Sequence, residues 1–306
     1  PLDFAPGAPA AKKARGSSKA PVEAEGIDRT AKHYIGGKQA RPDGGRSLAI
    51  HGADGSYLAD VAEGNRKDIR NAVEAAAKAN SWASASTHNR AQILYYIAEN
   101  LDARRDEFAT QLRAMTGASA AAAKAEVEAS IDRLFDYGAW ADKFDGAVHS
   151  PPMRNVTLAM NEPVGVMALV CPDEAPLLSF VSLMAPAIVM GNRVVIIPSE
   201  SAPLAATDFY QVLETSDVPG GVVNIVTGKR GGLALDLARH DGVDSIWYCG
   251  SAEGAKRVEQ ESAANLKQSW VDHGSPRDWA DTAIGAGPGY LRRATQVKNI
   301  WIPYGE

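Results

Sequence analysis

The sequence predicts an α/β fold: a doubly wound parallel sheet with helical additions on its N-terminal side. Three observations carry this. Beyond Pro151, β-branched runs alternate with helix-period segments, the pattern of right-handed βαβ crossovers that cover both faces of a sheet. Between Asp68 and Phe135 the apolar period is helical instead. The chain has 306 residues, 45% apolar and 23% charged, which is enough to bury a large core and argues against wholesale disorder.

The elements follow in order. The first 26 residues combine repeated Pro, Ala, Gly and Ser with Lys12, Lys13, Arg15 and Lys19 and lack an apolar run, so residues 1–31 read as a flexible linker rather than a signal peptide. The start at Pro1 suggests the downstream part of a longer polypeptide, although a trimmed or proteolysed chain would look the same. Order is expected to begin near Lys32, with an edge hairpin through 33–37, 48–50 and 57–61. Asp68 can cap a helix whose Ile69, Ala72, Val73 and Ala76 share one face. Two further helices are expected, one with Leu94, Ile97, Ala98 and Leu101 inward and one with Val127, Ile131, Leu134 and Phe135 inward. Strands are then expected over 156–160, 164–170, 193–197, 222–226 and 245–248, and helices over 177–190, 205–215 and 233–238. After Ser275 the pattern dissolves into Gly-rich polar sequence until a final strand over 298–303.

Composition excludes several function classes. Thirty-two Lys and Arg against 37 Asp and Glu leave a net charge of −5, which offers no general field for nucleic acid or an anionic membrane. The longest uncharged apolar stretch, 177–191, is 15 residues with Pro186 inside, short of the ~20 of a membrane helix. Cys171 and Cys249 are the only cysteines, too few for a disulfide framework or a four-cysteine metal site, and a reducing cytoplasm is the expected compartment. Both lie at strand ends and read as small buried hydrophobes. His240 and His273 lack neighbours in a metal-ligand pattern, so no metal site is expected.

Several segments share a pattern: Ala139-Trp140-Ala141-Asp142-Lys143, Asn161-Glu162-Pro163-Val164-Gly165-Val166, Pro198-Ser199-Glu200 with Pro203-Leu204, Pro219-Gly220-Gly221-Val222-Val223-Asn224-Ile225-Val226-Thr227-Gly228, and Gly250-Ser251. In this order and spacing the chain resembles the aldehyde dehydrogenase superfamily over roughly residues 33–272. The stretch from Asn265 to Glu306 is most similar to the degenerate C-terminal half of the tandem-domain aldehyde dehydrogenases called family sixteen, in which a complete dehydrogenase lies upstream.

The resemblance implies a Rossmann-like domain over residues 32–148 and 165–281, and a small β oligomerisation module from a hairpin over 149–164 and a C-terminal stretch over 282–306. It implies a missing catalytic domain, because the family's nucleophilic cysteine should lie several dozen residues beyond Asp272 and no cysteine follows there. The family's oxyanion pattern Pro-Trp-Asn-Phe-Pro is matched by Pro172-Asp173-Glu174-Ala175-Pro176, placing the Glu174 carboxylate where an amide should donate. Loss of one such donor costs ~3–4 kcal/mol in the transition state. The general-base pattern Glu-Leu-Gly-Gly-Lys corresponds to Asp272-His273-Gly274-Ser275-Pro276, which keeps a carboxylate one methylene shorter. No catalytic residue is therefore assigned.

In the family a Lys-Pro-Ser-Glu strand end clasps the adenosine ribose; here Ile197 replaces the lysine while Pro198, Ser199 and Glu200 remain. An unpaired ribose hydroxyl would cost ~1–3 kcal/mol. The loop from Gly228 to Gly232, with Lys229 and Arg230, joins a strand to a helix and could receive a phosphate, or its glycines could serve backbone geometry alone. Ser251 matches a family serine near the pyrophosphate and equally suits a helix cap. The expectation is a vestigial cleft with no tightly bound cofactor and at most weak NAD binding.

What the resemblance retains is assembly. Val156 and Leu158 in the hairpin, with Ile300, Trp301 and Ile302 in the last strand, are the candidate oligomerisation residues. That last strand pairs within the chain, or with another subunit or an upstream catalytic half of the same polypeptide. The expected role is a non-catalytic domain giving dimerisation and structural support to an NAD-dependent aldehyde dehydrogenase, with a residual nucleotide-binding module and an active fragment as alternatives.

Overall fold

The computed structural model describes residues 30–304, so the linker expectation for 1–31 falls almost wholly outside the described residues. Ala31 is already paired: its amide donates to Asp60 O at 2.8 Å and its carbonyl accepts from Ala62. The elements are β1 (His33–Ile35), β2 (Lys38–Ala40), β3 (Ser47–His51), β4 (Tyr57–Ala62), α1 (Arg66–Lys78), α2 (Thr87–Ala103), α3 (Arg105–Thr116) and α4 (Ala120–Trp140). They continue with β5 (Gly146–His149), β6 (Asn155–Pro163), β7 (Val166–Val170), α5 (Pro176–Val189), β8 (Arg193–Ile197), α6 (Leu204–Glu214), β9 (Val223–Ile225) and α7 (Arg230–Arg239). The last are β10 (Ser245–Tyr248), α8 (Ala252–Ser262), β11 (Gln268–Val271), α9 (Thr282–Gly285), α10 (Pro288–Arg293) and β12 (Thr295–Pro303).

A seven-stranded sheet runs in the order β11-β10-β7-β8-β9-β1-β2. Its first five strands are parallel, whereas β1 and β2 close the far edge antiparallel, so the sheet is mixed rather than wholly parallel. The expected single edge hairpin is two units, because β3 and β4 form a separate two-stranded sheet. Strand alternation divides the core. Met167 and Leu169 face the layer that contains α2, α4, α5 and α6, while Val166, Ala168 and Val170 face α1, α7 and α8. All fourteen residues of α5 are buried, which explains why its sequence is apolar on every side.

Two details correct the sequence reading. The cap of α1 is Asn65, and Asp68 is its reciprocal partner: the Asn65 side chain accepts from Lys67 N at 2.7 Å and Asp68 N at 3.3 Å, and Asp68 accepts from Asn65 N at 3.0 Å. Phe135 was expected on the buried face of α4, yet it is 39% exposed and stacks on Tyr95. At i+8 from Val127 it lies some 80° around the helix, at the border of the apolar stripe.

A second, three-stranded sheet, β12-β6-β5, stands apart from the main one. The hairpin thus begins at Gly146, earlier than expected. β12 pairs with β6 within the chain in unbroken register, from Thr295 opposite Pro163 to Pro303 opposite Asn155. Ile300 faces Leu158 and Ile302 faces Val156 across this ladder, with Val148 of β5 beside Leu158. No strand lies beyond β12 among the described residues. Val297 is 60% and Trp301 54% exposed, and Ile302, Val156 and Met160 are exposed too.

The segment between the sheets is fastened by Arg133 of α4. Its buried guanidinium donates to Ser182 Oγ at 2.6 Å, to Trp279 O at 3.1 Å and to Gly285 O. The Arg277 and Arg293 guanidinium groups lie over the Trp270 ring of β11, 4.8 and 4.4 Å from its centre. No helix among the described residues is long and apolar enough to cross a membrane.

Candidate functional site

Chain order fixes where a site should lie. From β7 the sheet grows through β8 and β9 on one side and through β10 and β11 on the other, so the direction of winding switches between β7 and β10. In doubly wound sheets the ligand crevice opens there, outside the carboxyl ends of the strands. A crevice of about 240 Å³ lies at that point, lined by Asp173 and Glu174 after β7, Ser251 after β10, Asp272 after β11, and by Arg230 and Trp279.

Asp173 is the most heavily bonded group at the site. Its Oδ1 accepts from Ser199 Oγ at 2.8 Å, from Glu200 N at 2.9 Å and from Ser201 N at 3.1 Å, and its Oδ2 pairs with the Arg230 guanidinium. Burial acts to raise the Asp173 carboxyl, but the Arg230 charge and the hydrogen bonds outweigh it and hold the group below its ordinary value. Arg230 also begins α7, and its amide donates to Glu200 Oε2 at 2.8 Å.

Of the residues expected at a cofactor cleft, only Ser251 lines this crevice, while Ser199 and Glu200 sit behind it, bonded to Asp173 and to the Arg230 amide. Pro198 is buried, Ser199 serves both Asp173 and Ala202 N, and Glu200 caps the first turn of α7. Ser251 accepts from Gly254 N at 3.1 Å and is the cap of α8, the simpler of the two readings of that residue. Gly228 has φ +146°, and a Cβ there would lie 2.9 Å from both Gly64 N and Leu233 Cδ1, so backbone geometry demands glycine. Gly232 meets nothing within 4 Å and has no such requirement.

Positions matched to family chemistry are also accounted for. Glu174 is exposed at the crevice mouth. The Asp272 carboxylate accepts from Gly250 N at 3.2 Å and Gly274 N at 3.1 Å, tying β10 to the turn after β11. Cys171 and Cys249 directly follow the paired residues Val170 and Tyr248, and both belong to the α5-side core. Burial pushes the Cys249 thiol up to about 12, with the Asp272 carboxylate adding to it, and burial also raises Cys171. Such thiols are poor nucleophiles.

Sequence reasoning missed Asp173 as a participant, and it missed Arg277 and Trp279 at the crevice wall. The signal for Asp173 was present: a carboxylate stands where the resembled pattern has tryptophan, and a cation, Arg230, stands at the helix start it can reach.

The family model described as "Aldehyde dehydrogenase family" matches residues 41–278. Cytosolic 10-formyltetrahydrofolate dehydrogenase of Mus musculus is 32% identical over 251 residues, 79% of this chain and 28% of that protein. Betaine aldehyde dehydrogenase of Bacillus subtilis (strain 168) is 32% identical over 222 residues, 71% of this chain and 45% of that protein. The chain thus spans less than half the length of these relatives. Among solved structures, PnpE from Pseudomonas sp. WBC-3 superposes with a TM-score of 0.77 at 27% identity, covering 79% of this chain and 50% of that one. Betaine aldehyde dehydrogenase from Staphylococcus aureus in complex with NAD+ gives 0.76 at 24% identity, covering 79% and 49%, a likeness of fold.

Proposed function

The chain belongs to the aldehyde dehydrogenase family, and from that premise we propose that it is a non-catalytic member of it, a domain that dimerises with a second copy or buttresses a catalytic half of the same polypeptide. The observation that carries this reading is β12: a nine-residue strand that, among the described residues, is paired on one side only, with Val297, Trp301 and Ile302 exposed along it. An edge of that length and apolarity is a template for pairing with another sheet. We read residues 149–164 and 282–306 as the assembly module and residues 32–148 and 165–281 as the Rossmann-like body.

Three features support the absence of catalysis. Both thiols are buried with raised pKa values. Glu174 brings a carboxylate where acyl transfer needs a donor. Asp272 is engaged by two backbone amides. The domain holds no cofactor tightly and binds NAD at most weakly, and it works in a reducing cytoplasm, where two free thiols persist.

Sedimentation of the chain, wild type against Trp301→Asp, with and without an upstream catalytic half, tests this. Association that weakens at least tenfold in the variant is expected. A monomer in both proteins with no binding to the catalytic half overturns the assembly role. Aldehyde-dependent NADH production by this chain alone, abolished by Cys249→Ala, overturns its non-catalytic status.

A further inference from the structure

The Asp173 carboxylate is bound as a phosphate would be. Ser199, Glu200 and Ser201 donate a hydroxyl and two consecutive backbone amides to one of its oxygens, and the Arg230 guanidinium forms an ion pair with the other. Paired backbone amides together with an arginine charge are a recurring means of holding phosphate oxygens. The location matches the chemistry, because a doubly wound sheet receives ligand phosphates at its switch point, against the start of a helix. Here the helix start is engaged from within as well, since the Arg230 amide that opens α7 donates to Glu200. Two carboxylates of the chain itself occupy the two roles a bound anion would fill.

We propose that the Asp173–Arg230 pair is an intramolecular stand-in for a phosphate, an autoinhibitory contact that keeps nucleotides out of the switch-point crevice. The pair is well suited to this. The Arg230 side chain is 14% exposed and its charge pairs with Asp173, while its buried Nε and Nη2 have no hydrogen-bond acceptor, so donors remain for an anion to take. A tethered carboxylate competes at high effective concentration against any free ligand. An incoming phosphate would have to displace Asp173 and would then meet Glu174 and Glu200 close by. The contact stands or fails apart from the assembly role, which involves the other sheet.

Titration calorimetry of the full chain with NAD and with ADP tests the proposal. Wild type is expected to give no heat at millimolar ligand. Asp173→Ala vacates the donors and is expected to gain affinity for both nucleotides by roughly tenfold or more, and adding Arg230→Ala should remove the gain. If Asp173→Ala does not fold, Asp173→Asn keeps the shape of the side chain, removes its charge and is expected to show the same gain in smaller degree. A mere structural ion pair predicts lower stability in these variants with no new binding, so a folded variant silent toward both nucleotides overturns the proposal. Wild-type binding as tight as that of the variants overturns it too. Turnover assays separate this result from the non-catalytic reading, because the autoinhibitory contact can fail in the binding experiment while aldehyde oxidation stays absent.

Discussion

Glu126 of α4 caps α5: its Oε1 accepts from the amide of Leu177 at 2.9 Å and from that of Leu178 at 3.3 Å. The residue before the helix, Ala175, is left-handed at φ 45° and offers no side-chain cap. Because α5 is buried throughout, water cannot serve those amides in place of Glu126. Glu126→Ala is expected to cost ~1–3 kcal/mol, about 2–4 °C in melting temperature per kcal/mol. Glu126→Gln retains an acceptor and should lose less. Equal melting curves for wild type and the alanine variant would show that the cap contributes nothing.

Two glycines at the turn from β9 into α7 should respond in opposite ways. Gly228→Ala places a Cβ against backbone in a conformation foreign to L-residues and is expected to destabilise by about 1–3 kcal/mol. Gly232→Ala, in open space within α7, is expected to stabilise by about 0.5–1 kcal/mol. Denaturant midpoints measure both, and a shift of the same sign in the two variants contradicts the geometry.

Asp208 on α6 gives stability a pH dependence. Burial, joined by the Glu107 carboxylate and only partly offset by Arg104, pushes it up to about 6. The folded chain then holds this proton more tightly than the unfolded chain, whose aspartates titrate near ~3.9, so stability falls as pH rises through that interval and the penalty is complete above it. Asp208→Asn is expected to raise stability at pH ~8 by up to ~3 kcal/mol and to leave it unchanged at pH ~3.5. Thermal melts at both pH values decide it, and a gain of equal size at the two would exclude a titration.

Arg133 carries the segment after β11. With its guanidinium gone, the Trp279 and Gly285 carbonyls lose their donor. Arg133→Met, which keeps the apolar stem, is expected to destabilise by ~3 kcal/mol and to hasten proteolytic cleavage within 279–294. An unchanged cleavage rate there would show that the segment is held by its aromatic contacts alone.

What was legible in the sequence follows the physics of burial. β8 and β10 were readable to the residue because both lie in the middle of a two-sided core, where all their positions except the half-buried Arg193 at the start of β8 are buried and apolar or small. α8 is hard to see because its inward stripe is narrow, with only Ala255, Val258 and Ser262 buried beneath a charged surface, whereas α3 carries an ordinary helical stripe, Phe108, Ala109, Leu112 and Met115, that was legible and was missed. β11 escaped too, with two exposed and two half-buried residues. At the site, Ser199 and Glu200 could be named from a local pattern, but their engagement with Asp173 joins turns far apart in the chain, and no spacing rule reaches that distance.

The unbroken ladder between β12 and β6 makes the junction after α10 a matter of parity. Side chains alternate across a strand, so Ile300 and Ile302 share one surface while Trp301 takes the other. One residue inserted between Arg293 and Thr295 would exchange these surfaces along the whole strand, turning the tryptophan toward Leu158 and Val156, whereas two inserted residues would leave both as they are. The length of a short, irregular connection thus governs which chemistry each side of the outer sheet presents, and this region tolerates change only in even steps.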